Sequence, residues 1–161
     1  MRPTLALLTS LPLLLASCGG GSADPKALTD SGYSALGKSD SSAALSDFES
    51  ALEAIGDDSA HAQYQRAKLG YYEALAGVDA DRCKDEFLPY AESAALGASD
   101  YSLIASRLVS LGGPTQAVDV MHAGKEQFPD NADLQAVLDA LIARAAQDDS
   151  VASALASLGY M

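Results

Sequence analysis

The sequence predicts an all-α fold of about eight helices that pair into antiparallel hairpins. Three observations predict this class. Apolar residues recur three or four positions apart, which is helical spacing, and no segment alternates apolar and polar residues convincingly as a half-buried strand does. Capping residues and glycines separate the apolar stripes. The segments between the stripes are mostly short, and short connections favour antiparallel neighbouring helices.

The apolar stripes give the predicted helices in chain order. A first helix is indicated around Leu28 and Gly32, and the pattern is least regular over about residues 60–97, in the middle of the chain. The remaining stripes are Leu45, Phe48, Leu52 and Ile55; Tyr64, Ala67, Tyr71 and Leu75; Tyr101, Ile104, Leu108 and Leu111; Ala117, Val118, Met121, Gly124 and Phe128; Leu134, Leu138, Leu141 and Ala145; and Val151, Leu155 and Leu158.

Helix starts and ends are predicted from residues with known terminal preferences. Side-chain oxygens suited to cap a helix start occur at Asp57-Asp58-Ser59, Ser99-Asp100, Asp130-Asn131 and Asp148-Asp149. Pro114 suits a first helical turn. Helix exits are predicted at glycines, namely Gly37, Gly56, Gly77 and Gly112.

The first seventeen residues have the three parts of a secretory signal. Met1-Arg2 gives a basic start, Leu5 to Leu15 an apolar core, and Ala16-Ser17 small residues before a cleavage site. The apolar run is shorter than the roughly 20 residues that span a hydrocarbon core. Residues 1–17 are therefore predicted to be a signal peptide and not a membrane-spanning helix.

The sequence Leu15-Ala16-Ser17-Cys18 resembles the lipobox of bacterial lipoproteins. That resemblance implies that Cys18 becomes the mature N-terminus and carries fatty acyl chains, and two or more acyl chains hold a protein stably on a membrane. An ordinary secretory signal followed by a coincidental cysteine is the alternative. Residues 18–25 are predicted to be a flexible tether because they are rich in glycine, and residues 26–161 a helical domain.

The resemblance also implies a location in the cell envelope. Lipoproteins of bacteria with two membranes tend to stay at the inner membrane when Asp follows the acylated cysteine, and here Gly19 stands at that position. We therefore expect the periplasmic side of the outer membrane in such a host. In a host with one membrane we expect the outer face of the cytoplasmic membrane.

Charge and cysteine content narrow the function. The formal net charge is −12, and removal of the signal peptide with Arg2 makes it −13. Nucleic acid is disfavoured as a partner because its phosphates attract Lys and Arg.

Of the two cysteines, Cys83 keeps no intramolecular partner once Cys18 is acylated. We expect Cys83 to be a small buried residue, although an intermolecular disulfide is an alternative in an oxidising compartment.

An internal repeat separates two sets of large and small residues by 73 positions. Leu28, Gly32, Ala44, Phe48 and Ala51 correspond to Tyr101, Ala105, Ala117, Met121 and Gly124. This spacing fits two units of the 34-residue tetratricopeptide period with a few residues inserted.

At these positions the chain resembles the tetratricopeptide repeat family. The first helix of the family's motif is matched by Tyr101, Ile104, Ala105 and Leu108, and the second helix by Ala117, Met121, Gly124 and Pro129. The unit that begins near Leu28 has Gly56 where the proline would fall, and the unit over about 60–97 is degenerate. The pair of helices after Ala132 is interpreted as a cap. The resemblance implies a solenoid of about four antiparallel helix pairs; a plain helical bundle is the alternative.

Residues Gly32 to Ser39 satisfy the phosphate-loop pattern G-x-x-x-x-G-K-[ST]. That chemistry needs a buried strand before the loop and a helix after it, so that backbone N–H groups point at the phosphates. No strand is predicted before Gly32. We therefore expect Gly32 to be a packing residue and Gly37-Lys38-Ser39 a turn between helices, and no nucleotide is predicted as a partner.

No convincing reaction chemistry is predicted. His61 and His122 belong to no metal-binding motif, and the paired carboxylates stand at predicted helix starts, where acidic groups are favoured. No cofactor and no metal ion are expected. The function predicted is therefore a non-enzymatic adaptor. Two alternatives remain open: an envelope enzyme or accessory subunit with a site made of scattered residues, and a structural spacer without a specific ligand.

The tetratricopeptide resemblance implies where a protein or peptide partner would bind. In that family the first helices of successive units line a concave surface. The residues predicted on it are Tyr33, His61, Tyr64, Lys68, Tyr72, Ser102 and Ser106. Tyrosines there would anchor a partner, because an aromatic ring offers a large contact area with a polar tip.

Overall fold

The computed structural model describes residues 24–161, and within this range the chain forms eight α-helices and no β-strand. The all-α class and the number of helices predicted from sequence are confirmed for this part of the chain. The helices are α1 (Pro25–Gly37), α2 (Ser41–Ile55), α3 (Tyr64–Leu75), α4 (Ala80–Ser93), α5 (Ala98–Leu111), α6 (Pro114–Gln127), α7 (Ala132–Ala145) and α8 (Asp149–Ser157). Cys18 and the predicted signal peptide lie outside the described residues. No helix within residues 24–161 is long and apolar enough to cross a membrane.

Polar side chains cap five of the helix starts. The carboxylates of Asp24, Asp40, Asp79 and Asp148 and the amide oxygen of Asn131 each accept a hydrogen bond from a backbone N–H in the first turn of the following helix. Two of these caps, Asn131 and Asp148, are at predicted positions. Asp24 is the cap of α1 and Pro25 is its first residue. The last two residues of the tether predicted over 18–25 therefore belong to the start of this helix.

Two helix starts differ from the sequence prediction. The chain makes turns through Asp57-Asp58-Ser59, and α3 begins only at Tyr64, with no side-chain cap on it. At α5 the cap residue is Gly97, whose N–H donates to Oδ2 of Asp100 at 2.9 Å. Asp100 therefore caps the start of α5 from within its first turn, where a carboxylate also interacts favourably with the helix dipole.

Helix α3 lies at the centre of the N-terminal half. It contacts α1, α2, α4 and α5. A helix with neighbours on so many sides has little solvent-facing surface, and the run from Gly70 to Ala76 is buried without interruption. This run includes Glu73, whose side chain is among the few buried charged groups in the described chain.

Small residues allow close contacts between helices at the predicted repeat positions. The ring of Phe48 lies against Gly32 of α1 and Gly70 of α3, and a Cβ added to Gly32 would come within 2.7 Å of the ring. A Cβ on Gly124 would come within 2.8 Å of the Cβ of Tyr101. These glycines are therefore packing residues, because any larger side chain would displace the aromatic neighbour.

A row of aromatic rings continues the core toward the C-terminal half. Ring centroids are 5.4 Å apart between Tyr72 and Phe87, 5.6 Å between Phe87 and Tyr101, and 6.2 Å between Tyr101 and Phe128. The first two contacts are edge-to-face, the arrangement favoured by aromatic quadrupoles. The row connects α3, α4, α5 and the end of α6 within one core.

The segment that matches the phosphate-loop pattern is mostly helix. Gly32 lies within α1 and Gly37 is the last residue of that helix, so the backbone N–H groups between them take part in helical hydrogen bonds. Lys38 and Ser39 form the turn before α2, with Ser39 at φ 61°. The prediction of Gly32 as a packing residue is confirmed. The turn predicted at Gly37-Lys38-Ser39 is confirmed for Lys38 and Ser39, whereas Gly37 still belongs to α1.

Candidate functional site

A groove lies between α5 and α7, and we call it the α5/α7 groove. Its volume is about 550 Å³, and it is open along one side. The residues that line it are Ser99, Ser102, Leu103, Ser106 and Val109 of α5 and Asp133, Ala136, Val137 and Ala140 of α7.

The lining of the α5/α7 groove is apolar with a few hydroxyl groups. Leu103 is 37% exposed, which is high for a large aliphatic side chain. The Oγ of Ser102 donates to the carbonyl oxygen of Ser99 at 3.0 Å, so this hydroxyl is used within its own helix. Asp133, in the first turn of α7, supplies the one charge among the lining residues. The groove therefore offers apolar contact and one carboxylate.

Two residues predicted on a binding surface line this groove, namely Ser102 and Ser106. They lie four residues apart on α5 and so share one face of the helix. The sequence prediction missed the residues that α7 contributes. In the structure α7 lies beside α5. The tetratricopeptide resemblance could have indicated these residues, because in that family the first helices of successive units line one surface.

Tyr64 lies in a second, smaller cleft, the α3/α4 cleft. Its volume is about 350 Å³. The lining residues are Ser59, Tyr64 and Gln65 before and within α3, and Tyr90, Ser93, Ala94 and Ala95 at the end of α4. This cleft is lined by α3 and α4, so Tyr64 and Ser106 line different surfaces.

Lys68 and Tyr72 face α4 as well. The Nζ of Lys68 lies 5.1 Å from the ring centroid of Tyr71, 5.3 Å from that of Tyr72 and 5.8 Å from that of Tyr90. These are cation–π distances, and burial against the rings lowers the pKa of Lys68. Tyr72 is only 1% exposed and its hydroxyl donates to the carbonyl oxygen of Glu86 at 3.1 Å.

The prediction that Tyr72 lies on an exposed surface is therefore wrong. The reason is the depth of α3 in the fold. Because α3 has α4 on one side and α1 and α5 on others, its tyrosines fill the space toward α4. Helical periodicity identifies residues on one face but does not say which element covers that face.

Tyr33 and His61 occupy two further places. Tyr33 is half-buried, with its ring edge-on to Phe48 at 5.0 Å, and its hydroxyl donates to the carbonyl oxygen of Arg66 at 3.0 Å. Burial raises the pKa of Tyr33 to about 12. His61 lies in the turns before α3, where its Nδ1 accepts from the N–H of Gln63. The seven predicted residues thus do not form one continuous surface.

Sequence reasoning missed a set of ion pairs that join the odd-numbered helices. Arg66 of α3 donates to Asp30 of α1 at 2.6 Å, and its guanidinium lies 4.8 Å from the ring centroid of Tyr33. Arg107 of α5 donates to Glu73 of α3 at 3.1 Å. A charged residue inside an otherwise apolar run, as Glu73 is, is the signal that could have indicated such a pair.

Cys83 is fully buried in α4. Its Sγ donates to the carbonyl oxygen of Tyr72 at 3.4 Å, and burial raises the pKa of the thiol to about 12. This placement agrees with the expectation of a small buried residue. Within residues 24–161 no group of three or more His, Cys, Asp and Glu side chains is placed to hold a metal ion.

Comparison with known proteins gives no relative. No family model matches the chain, and no curated protein or solved structure matches it significantly.

Proposed function

We propose that this chain is a lipid-anchored adaptor of the bacterial cell envelope, with a tetratricopeptide-like solenoid that binds a protein or peptide partner in the α5/α7 groove. In this proposal the protein is not an enzyme: it recognises one molecule and holds it near a membrane. The single observation that carries the binding role is the α5/α7 groove, because it is more voluminous than the α3/α4 cleft and two residues expected on a binding surface line it.

The order of helix contacts supports a solenoid of hairpins. Within the described residues, α1 contacts α2, α3 contacts α4, α5 contacts α6 and α7 contacts α8, as hairpin partners do. The odd-numbered helices also contact one another in series, from α1 to α3, from α3 to α5 and from α5 to α7. Serial contacts between equivalent helices are what stacked repeats make. The proposed concave surface is therefore the side formed by the odd-numbered helices.

The sequence Leu15-Ala16-Ser17-Cys18 supports the anchor. An acylated Cys18 would lie only six residues before the cap of α1 at Asp24. The groove would then be confined close to a membrane surface. Confinement raises the effective concentration of a second contact, so a modest affinity for a soluble or membrane partner would suffice.

The anchor is tested by metabolic labelling with a palmitate analogue. We expect the wild-type chain to incorporate label and to fractionate with membranes, and a Cys18→Ser variant to do neither. Incorporation and fractionation of the Cys18→Ser variant at the wild-type level would contradict the anchor.

The binding role is tested by site-specific crosslinking in intact cells. A photoreactive phenylalanine analogue replaces Ser106, which lines the groove, or Ser46, which is exposed on α2, a helix that lines no part of the groove. We expect a discrete crosslinked partner, identified by mass spectrometry, from position 106 alone. Identical products from both positions, or none from position 106, would contradict an adaptor that uses this groove.

A further inference from the structure

The α5/α7 groove has the length of a short helix. Its lining on α5 runs from Ser99 to Val109, which at 1.5 Å per residue is about 15 Å. A bound helix of about ten residues, or nearly three turns, would cover the same length. An extended segment of about five residues would also cover it, so length alone does not choose between the two conformations.

Hydrogen bonding does choose between them. The backbone groups of α5 and α7 are paired within their own helices, and no Asn or Gln side chain lines the groove. An extended peptide would bury more backbone N–H and C=O groups than the three serine hydroxyls and one carboxylate of the lining could pair, and the unpaired groups are costly to desolvate. A helix brings its backbone already paired. The groove is therefore suited to a helix, in the manner of an amphipathic helix that lays its apolar face into a groove.

The side chains of the groove define the face that such a helix must present. Ala136 and Ala140 on one wall and the serines on the other are small, so a third helix axis can approach to the usual distance of about 8–10 Å. Leu103, Val109 and Val137 supply the apolar contact area. The bound helix therefore needs an apolar stripe at helical spacing.

The negative charge of the groove favours a basic residue on the polar edge of the bound helix. Asp133 is the charged residue of the lining, and the chain as a whole carries a net charge of −12. A Lys or Arg side chain on the bound helix would pair with Asp133 and would be drawn to the acidic protein. An acidic helix would be repelled, and a second copy of this chain carries the same negative charge.

From these observations we infer that the α5/α7 groove binds an amphipathic helix of about three turns from a partner protein, with an apolar stripe toward Leu103 and Val137 and a basic residue beside Asp133. This inference rests on the proposed function, because it specifies the partner class for the same groove.

The test uses three stapled helical peptides of about twelve residues, each long enough to cover the groove. The first has an apolar stripe and lysines on its polar edges. The second has glutamates in place of the lysines, and the third has the composition of the first without the stripe. The protein is the full chain purified in detergent, and binding is measured by fluorescence polarisation at low and high salt.

We expect the first peptide to bind, the other two to bind at least about tenfold more weakly, and affinity for the first to fall with added salt because a partly exposed charge pair is screened. Equal binding of the acidic peptide, or of the peptide without a stripe, would overturn the inference. A fourth peptide has the sequence of the first but carries a proline in its middle and no staple. Tighter binding of this fourth peptide would also overturn the inference, because that result would indicate an extended ligand.

Matched variants locate the binding. Ala140→Arg fills the groove, whereas Ala54→Arg adds the same side chain at an exposed position of α2, a helix that lines no part of the groove. We expect Ala140→Arg to weaken binding of the first peptide at least about tenfold and Ala54→Arg to leave it unchanged. Asp133→Asn should weaken it about two- to fivefold, the range for one partly exposed ion pair, while Asp139→Asn should not.

The remaining outcomes separate this inference from the proposed function. If position 106 crosslinks a partner in cells while no helical peptide binds, the helical ligand is wrong and the adaptor stands. If the first peptide binds as expected while position 106 captures no partner in cells, the inferred preference of the groove for a basic amphipathic helix is kept and the proposed adaptor function is wrong. A dimer that Ala140→Arg dissociates would overturn the inference, because a second copy would then occupy the groove.

Discussion

The Nε of Arg107 on α5 donates to Oε2 of Glu73 on α3 at 3.1 Å, and the Glu73 side chain is only 8% exposed. The pair joins two odd-numbered helices that do not belong to the same hairpin. In the proposed solenoid it therefore fixes one repeat on the next. Arg107 is about one third exposed, so solvent reaches one partner and reduces the strength of the pair.

Removal of Arg107 should cost more than neutralisation of Glu73. In Arg107→Gln the buried carboxylate loses its charged partner, and we expect the free energy of unfolding to fall by about 1–3 kcal/mol. In Glu73→Gln no buried charge remains, and we expect a loss of less than about 1 kcal/mol. Urea unfolding followed by circular dichroism measures both. Equal losses, or a larger loss in Glu73→Gln, would show that the pair does not hold α3 and α5 in this way.

The glycines around Phe48 should be intolerant of alanine. A Cβ on Gly32 or Gly70 would overlap the ring of Phe48, and overpacking of a core costs about 1–3 kcal/mol. That cost exceeds the gain of up to about 1 kcal/mol that alanine brings to a helix. We therefore expect Gly32→Ala and Gly70→Ala to lower the melting temperature.

Gly37→Ala is the matched control. Gly37 ends α1, and an added Cβ there meets nothing within 4 Å. We expect Gly37→Ala to be neutral or to stabilise the protein by up to about 1 kcal/mol. If all three substitutions behave alike, the packing of α1 and α3 on Phe48 is not as described.

The thiol of Cys83 should be inert in the folded protein. It is fully buried and its pKa is about 12, so almost no thiolate is present near pH 8. In a Cys18→Ser variant, we expect an aromatic disulfide reagent to react with Cys83 slowly in buffer and rapidly in concentrated urea. Rapid reaction without urea, or a disulfide-linked dimer, would contradict the buried placement.

Alkaline pH should unfold the protein as its tyrosines ionise. Burial raises the pKa of Tyr33 to about 12 and raises those of Tyr71 and Tyr72 as well. In the unfolded chain these groups titrate near pH 10. The stability that their neutral forms contribute is therefore complete below about pH 10 and is lost as the pH rises through the folded pKa values.

The alkaline transition is measured by tyrosinate absorbance together with helical circular dichroism. We expect the ionisation of the buried tyrosines and the loss of helix to coincide above pH 10. Ionisation of all tyrosines near pH 10 with the helices intact would contradict the burial described for α3.

The fold class could be predicted from the sequence because each helix carries its own signals. Apolar spacing indicated the helices, and Asn131, Asp148 and Pro114 marked their starts where the structure has them. The start of α3 was missed because Asp57, Asp58 and Ser59 are good capping residues that here form turns. Local propensity does not distinguish a cap from a turn when both use the same side chains.

The candidate site was predictable only where a helix has one exposed face. Helix α5 is such a helix, and Ser102 and Ser106 were identified on it. Helix α3 is buried on several sides, so no periodic pattern distinguished the face toward α4, which carries Tyr72, from the face toward α5, which carries Glu73. The neighbours of a central helix are decided by tertiary packing, which a single periodicity does not record.

Partner binding in the α5/α7 groove is tested most directly by quantitative affinity purification from membranes of cells that express the wild-type chain, Ala140→Arg or Ala54→Arg. We expect at least one protein recovered with the wild type to be lost from Ala140→Arg and retained by Ala54→Arg, because position 140 lines the groove whereas position 54 is exposed on α2, outside it. The same set of proteins at the same abundance with all three chains would contradict partner binding in this groove.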